Sequence, residues 1–289
     1  MNGFEPGIYE VPELDYHSGK FGPTDSLSST EAKRILQAPK VLKWLRDHPQ
    51  EPKSAYDFGH IVHGIVLGTG LEVVEIPEDL LADNGAASTK AAKKFIADVR
   101  AAGDIRMKAK DLETPRAVAQ AVLDDPVAGP LFKRGRPEQS IYGQDESTGV
   151  WMRGRLDWVT ELDGATCLVD LKTTASDASA GEFTREAAKL EYAVQREFYR
   201  QIWQTITGEI DPRFIHVVVS KKQPYLVNAV EMDFEYELIG QAKVRRALDT
   251  YKQCLETGEW PGYEPTIKMI GPPAYYSTAE EDLDEMEVA

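Results

Sequence analysis

The order of apolar and polar positions divides the chain into a helical first half and a mixed second half. Residues 1–23 are rich in Gly and Pro without periodicity and read as an extended arm. Ser26, Ser28 and Ser29 precede residues 31–36 as they would precede a capped helix, and Pro39 opens a short helix through Trp44 and Leu45. Phe58, Ile61, Val62, Ile65 and Val66 recur at helical spacing over residues 57–68. Residues 88–102 and 111–124 read as two further helices with polar faces. The period changes near residue 138. Residues 138–142, 150–160 and 166–172 predict strands. Residues 185–207 predict one long helix, with Leu190, Val194, Phe198, Ile202 and Ile206 on one face and Gly208 at its end. Residues 214–220 and 225–231 predict strands split by a Lys-Gln-Pro turn, and 235–257 a last helix ending at Gly258. From about residue 263 the chain carries Pro, Tyr and acids without period, the pattern of a flexible tail.

This order predicts an α/β fold, a mixed sheet flanked by helices with an N-terminal helical layer. The expected organisation is an arm at 1–23, one domain over 24–262 and an acidic tail at 263–289. Within the domain, 24–130 is mainly helical and 131–262 is the core.

Composition narrows the class. Hydrophobic residues make up 42% of 289 positions, enough for a sizeable core. No apolar run approaches the roughly 20 residues of a membrane helix. The first residues lack the basic and apolar regions of a signal peptide, so a cytoplasmic protein is expected. Cys167 and Cys254 are too few for a disulfide framework or a four-thiolate metal site. The net charge is −15, and −9 without the last ten residues, which hold six acids and no base. That balance excludes a general nucleic-acid coat. An enzyme acting on nucleic acid with this charge needs a local basic channel, or metal ions at its site.

Residues 150–174, VWMRGRLDWVTELDGATCLVDLKTT, carry the most chemistry. Asp163-Gly164 between two strand-like runs is the signature of a two-residue hairpin turn. Counting outward from it sets Asp157 opposite Asp170 and Arg155 opposite Lys172, with Cβ atoms about 4.5–5.5 Å apart. Two facing carboxylates repel unless one takes up a proton or a cation lies between them. Mg²⁺ prefers oxygen ligands and is often held by one or two carboxylates with substrate phosphate. Two acids beside two bases suit a metal–phosphate site, although an exposed hairpin with solvated charges would read the same way. The Asp-x-Lys spacing alone is weak, since Glu31 with Lys33 and Glu51 with Lys53 repeat it. The apolar run Cys167-Leu168-Val169 and the facing Asp157 set Asp170 and Lys172 apart.

Gly154-Arg155-Leu156-Asp157, followed by Val169-Asp170-Leu171-Lys172-Thr173-Thr174, resembles the core of PD-(D/E)xK nucleases. Further segments resemble the exonuclease VIII (RecE-type) branch. They are Tyr16-His17 with residues 26–36 and Ala38-Pro39, the helix Phe58-Gly59-His60-Ile61-Val62-His63, and residues 135–141 with Thr148-Gly149-Val150. Tyr192-x-x-Gln195-x-x-x-Tyr199 resembles the Gln/Tyr helix that this branch shares with RecB-type nucleases. The likeness runs from about residue 15 to 262; order and spacing together carry it, and no single motif does. The family's usual Pro before the first Asp is Leu156 here.

The resemblance implies roles. Asp157, Asp170, His63 and the Leu171 carbonyl would hold Mg²⁺, with Mn²⁺ the alternative, and His60 competes with His63. Lys172 would position or activate the attacking water, and Glu138 would bind a second metal or orient water. Gln195 and Tyr199 share a helix face and would contact DNA or brace the metal site; Arg155 would contact phosphate. The implied activity is 5′-to-3′ digestion of linear duplex DNA, yielding 5′-phosphates and 3′ single strands for recombination. The implied setting is a phage or prophage gene, a homo-oligomer (in related enzymes a ring) and a RecT-type single-strand annealing partner. A non-catalytic recombination scaffold and a structure-specific endonuclease are the alternatives. A CRISPR-adaptation-like exonuclease is a further alternative; that branch usually has a four-cysteine cluster, and two cysteines exclude that version.

Overall fold

The computed structural model describes residues 3–17, 19, 21–48, 58–69, 73–102, 105–107 and 109–272. The elements before the core are β1 (Gly7–Tyr9), α1 (Glu13–His17), β2 (Leu27–Ser28), α2 (Ser29–Gln37), α3 (Pro39–Asp47), α4 (Phe58–Leu67), β3 (Val73–Glu75), α5 (Lys90–Ala102), β4 (Ile105–Met107), α6 (Ala109–Asp124) and α7 (Ala128–Leu131). The core follows as β5 (Arg136–Gln144), β6 (Trp151–Leu162), β7 (Ala165–Thr174), α8 (Ala180–Leu190), α9 (Tyr192–Thr207), β8 (Arg213–Ser220), β9 (Val227–Glu231) and α10 (Phe234–Thr257). The strands form a mixed sheet in the order β1-β5-β6-β7-β8-β9, and β2 adds to β6 off that path. β7 and β8 are parallel, joined by the α8–α9 crossover, while the β5–β6–β7 meander is antiparallel. β3 and β4 pair separately.

Helices cover both faces of the sheet. Val194, Phe198 and Ile202 of α9 pack with Ile35 of α2 and Val244 and Leu248 of α10 over Leu156 and Leu168. On the other face, Val62 and Val66 of α4 and Val118 and Val122 of α6 cover Val169, Leu171 and Val217. The N-terminal helices therefore divide between the two faces instead of forming one layer, because α2 and α4 bury their stripes against opposite sides. The cap expected at the start of α2 takes the form of a capping box, with Ser28 and Glu31 bonding each other's backbone N–H.

Two expectations change. The N-terminal segment, read as an arm, adds β1 to β5 and packs Phe4, Tyr9 and Phe21 around Tyr142. Aromatic residues spaced irregularly along a Gly- and Pro-rich stretch carry no period, yet they bury well once a sheet edge is available. The long helix of 185–207 is broken at Glu191, whose backbone is left-handed at φ 57. The break separates Leu190 from the stripe, leaving it 43% exposed while Val194, Phe198 and Ile202 are buried. Glu191 is held by an ion pair to Lys243 on α10. Periodicity continues across such a break and so hides it.

α9 and α10 meet closely at Gly240, where an added Cβ would lie 2.4 Å from Glu197 Cγ and 2.6 Å from the Ala193 carbonyl oxygen. Gly240→Ala should therefore destabilise by about 1–3 kcal/mol of overpacking, despite Ala's roughly 1 kcal/mol helix advantage. A thermal melt lowered by a few degrees checks this; an unchanged or higher melt would show that the two helices can separate at no cost.

Candidate active site

The hairpin register agrees with the count from its turn, from Leu162 opposite Ala165 up to Trp158 opposite Val169. There the ladder stops. Farther along, β6 takes β2 as its partner at Met152 and Arg153, while β7 keeps β8 on its other edge throughout, so residues 154–157 of β6 have no strand partner on that side. The other ladder is interrupted at the same level. Pro137 pairs with Trp158 and Gln139 with Leu156, while Glu138 takes a left-handed φ of 52 opposite Asp157. The interruptions release Asp157 from regular pairing on both sides, and its Oδ2 accepts the Leu171 backbone N–H at 2.8 Å. A side chain thus replaces the missing ladder bond. Arg155 and Lys172 consequently do not form a cross-strand pair, because the strands have parted before reaching them.

The parted strands gather a charged cluster. Lys172 Nζ lies 2.7 Å from Asp170 Oδ2. Gln195 of α9 joins the same pair, its amide N–H donating to Asp170 Oδ1 at 2.7 Å and its oxygen accepting from Lys172 at 3.2 Å. His63 of α4 brings Nδ1 to 3.6 Å from Asp157 Oδ2. His63 is therefore the histidine at the cluster, whereas His60 points to Glu13 at 3.9 Å.

Burial, then the charge of Asp170, pushes the Asp157 carboxyl well above the usual carboxylate range. Burial would also raise Asp170, but Lys172 beside it, then His216, hold it below that range. Burial opposes the charge on Lys172, yet Asp170 and Asp157 outweigh it and keep the ammonium protonated. Burial, then Lys172, lowers His63, leaving a neutral imidazole able to bind a metal.

The other expected residues take supporting positions. Arg155 is ion-paired with Glu138 and donates to the Val11 carbonyl at 2.8 Å and Ser140 Oγ at 3.0 Å. Its guanidinium ties the N-terminal segment to Glu138 and is not presented as a free phosphate contact. Tyr199 is buried in the core. Its ring packs beneath β6, where a Cβ on Gly154 would come within 2.8 Å of it. The sequence reading missed His216 and Tyr192. His216 pairs in register with Asp170, is fully buried, and leaves both ring nitrogens without a hydrogen bond. The Tyr192 ring centre lies 5.0 Å from Lys172 Nζ. A parallel register brought by a crossover leaves no trace in local sequence, so nothing marked His216; Tyr192 stood in the helix motif without a role.

The donor set suits a hard divalent ion. Asp170 Oδ2 is buried without a hydrogen bond, since its contact with Lys172 is ionic and out of line. Asp157 and the neutral His63 imidazole, 3.6 Å apart, add an oxygen and a nitrogen donor to the cluster. Among the described residues, no three His, Cys, Asp or Glu side chains are gathered closely enough to hold an ion. Asp170 turns toward Lys172 and Gln195, and Asp157 toward Leu171, so the expected ligands are neighbours without converging on one point.

The crystal structure of a Eubacterium rectale protein described as a "Putative exonuclease" is similar to 93% of this chain over 98% of its own, at 13% identity and a TM-score of 0.56, a likeness in fold. A second solved structure, described as SSO0001, is 13% identical over 82% of this chain and 80% of its own, with a TM-score of 0.37. Among curated proteins, none matches significantly in sequence. No helix among the described residues is long and apolar enough to cross a membrane. The model of one family, described as "PDDEXK-like domain of unknown function (DUF3799)", matches residues 28–270. With its restriction-endonuclease-like sheet parted beside Asp157, Asp170 and Lys172, the chain belongs to that PDDEXK-like family.

Proposed function

We propose that this protein is an exodeoxyribonuclease that uses Mg²⁺ to digest linear duplex DNA from 5′ to 3′, in the manner of the RecE-type branch it resembles. The observation that carries this reading is the gap between β6 and β7, beside which Asp170 keeps a buried, under-bonded carboxylate oxygen next to Lys172 and Asp157 is freed from both ladders. Asp157, Asp170, His63 and the Leu171 carbonyl are the groups that would hold the ion. A divalent ion bound there would supply Lewis-acid chemistry, polarising a phosphate oxygen and making a nearby water more acidic. Lys172, kept protonated, serves as a fixed positive charge for the scissile phosphate and orients the attacking water; it is not the proton acceptor. Gln195 holds both Asp170 and Lys172 in place. Glu138, clamped by Arg155 opposite Asp157, is the remaining acid beside the cluster. A ring-forming homo-oligomer, a single-strand annealing partner and a phage or prophage origin complete the reading.

Linear duplexes labelled separately at each 5′ and 3′ end, incubated with Mg²⁺ or EDTA, test it. The expected result is Mg²⁺-dependent release of 5′-terminal nucleotides. Cleavage inside circular DNA would replace the exonuclease by an endonuclease, and binding without cleavage would leave a scaffold.

A further inference from the structure

One surface of this acidic protein has the opposite charge. A groove of about 440 Å³ opens between α2, the α8–α9 junction and α10. Lys33, Arg34, Lys189, Lys243 and Arg246 line it against one acid, Glu191. Across the whole chain acids outnumber bases 48 to 33, so this lining inverts the overall balance. Only Leu36 and Leu190 of its residues are apolar, unlike the predominantly hydrophobic lining of small-molecule sites.

The groove adjoins the candidate active site. Lys33 Nζ lies 5.3 Å from the Tyr192 ring centre, and Lys172 Nζ lies 5.0 Å from that same centre. Lys33 is fixed by donating to the Leu190 carbonyl at 2.8 Å, where α8 ends. Lys243 is paired with Glu191, whereas Arg34, Lys189 and Arg246 are exposed and make no ion pair among the described residues. Burial and then the charge of Lys172 push Lys33 down to about 8, so the two regions share one positive field. Clustered like charges repel, and an anion with spaced charges relieves that repulsion along the whole groove.

We infer that this groove binds the sugar–phosphate backbone of the nucleic-acid strand, leading it across Tyr192 to the reacting phosphate beside Lys172. The inference rests on the nuclease reading for the nature of the polyanion. It also accounts for the basic channel that so acidic a DNA enzyme requires. Lys33 and Tyr192 stand at the junction, and Arg34, Lys189 and Arg246 supply the outer phosphate contacts.

The test uses the full chain and fluorescently labelled single-stranded and duplex DNA, with Ca²⁺ replacing Mg²⁺, titrated over a range of salt. Lys189→Glu with Arg246→Glu is compared with Lys252→Glu, a charge change of the same sign on α10 outside the lining. Each lost phosphate contact should flatten the plot of log affinity against log salt by about 0.7 for single strands and 0.9 for duplex. The double variant should therefore lose about 1.4–1.8 of slope, and Lys252→Glu much less. Arg34→Gln with Lys189→Gln, which reverses no charge, should reproduce the loss. Equal slopes for wild type and groove variants overturn the proposal, as does an equal loss in Lys252→Glu or a wild type that binds no DNA. A flattened slope in a protein that never cleaves DNA with Mg²⁺ sinks the nuclease reading and keeps the groove. Cleavage with unaltered slopes does the reverse.

Discussion

Lys172→Ala is expected to lower Mg²⁺-dependent DNA cleavage by about 10²–10³-fold, the usual loss when one preorganised charge-stabilising donor is removed. The ammonium lies 2.7 Å from Asp170 Oδ2 and is further held by Gln195, and both neighbouring carboxylates keep it charged. A group so held cannot accept a proton at neutral pH, so its contribution is positive charge at a fixed point. Lys172→Arg should therefore rescue little, since a planar fork cannot occupy the place of a compact ammonium. The alanine variant also leaves Asp170 as a buried, uncompensated charge, a change that costs about 3–5 kcal/mol when one partner of a buried pair is removed. The melt in EDTA should fall accordingly, and Mg²⁺ should restore part of it by replacing the lost cation. Cleavage is measured below the variant's own melting temperature, so that inactivity is not unfolding. Full activity in Lys172→Ala would remove this lysine from the mechanism; lost activity with an unmoved melt would remove the buried ion pair from the account.

The pattern of apolar residues made the central elements legible because β6 alternates, β7 and β8 carry continuous buried runs, and α9 and α10 bury regular stripes. The hairpin was legible for a different reason. A two-residue turn fixes its register locally, so Asp163-Gly164 was enough to set the pairs from Leu162–Ala165 to Trp158–Val169, and the ladder ends one step short of Asp157 and Asp170. What sequence hid was non-local. The parting of β6 and β7 coincides with β2, from a distant segment, taking the place beside β6. The packing of Phe4, Tyr9 and Phe21 on Tyr142 depends on a sheet edge formed more than a hundred residues later. The break at Glu191 depends on α10, which supplies Lys243. His216 beside Asp170 and the joining of Lys33 to Lys172 through Tyr192 were hidden in the same way, by pairings that only the tertiary structure makes.

Asp157→Asn should abolish cleavage, again by about 10²–10³-fold, while making the metal-free protein more stable at neutral pH. Asp157 gives up regular ladder pairing, sits close to a second carboxylate, and is pushed well above the usual range by burial and by Asp170. A carboxyl whose folded pKa is raised stabilises the fold fully below its unfolded value and loses that contribution as pH rises through the folded value. At neutral pH the charged form is therefore a liability unless a cation is bound. Asn keeps an oxygen to accept the Leu171 N–H and removes the charge. The expected gain is on the order of 1 kcal/mol, a rise of about 2–4 °C in the melt for a chain of this size. The difference between the wild type and the variant should close as the pH falls toward the ordinary carboxylate range, where wild-type Asp157 carries a proton in both the folded and the unfolded state. Mg²⁺ should invert the order, because a ligand at 100 times its Kd stabilises the wild type by about 2.7 kcal/mol and the variant has lost a ligand. Melts in EDTA and in Mg²⁺ across pH decide the matter. A variant less stable than wild type in EDTA at neutral pH would show that Asp157 is held for the fold; one more stable without metal and less stable with it would show a carboxylate retained at a cost to the fold because the ion needs it.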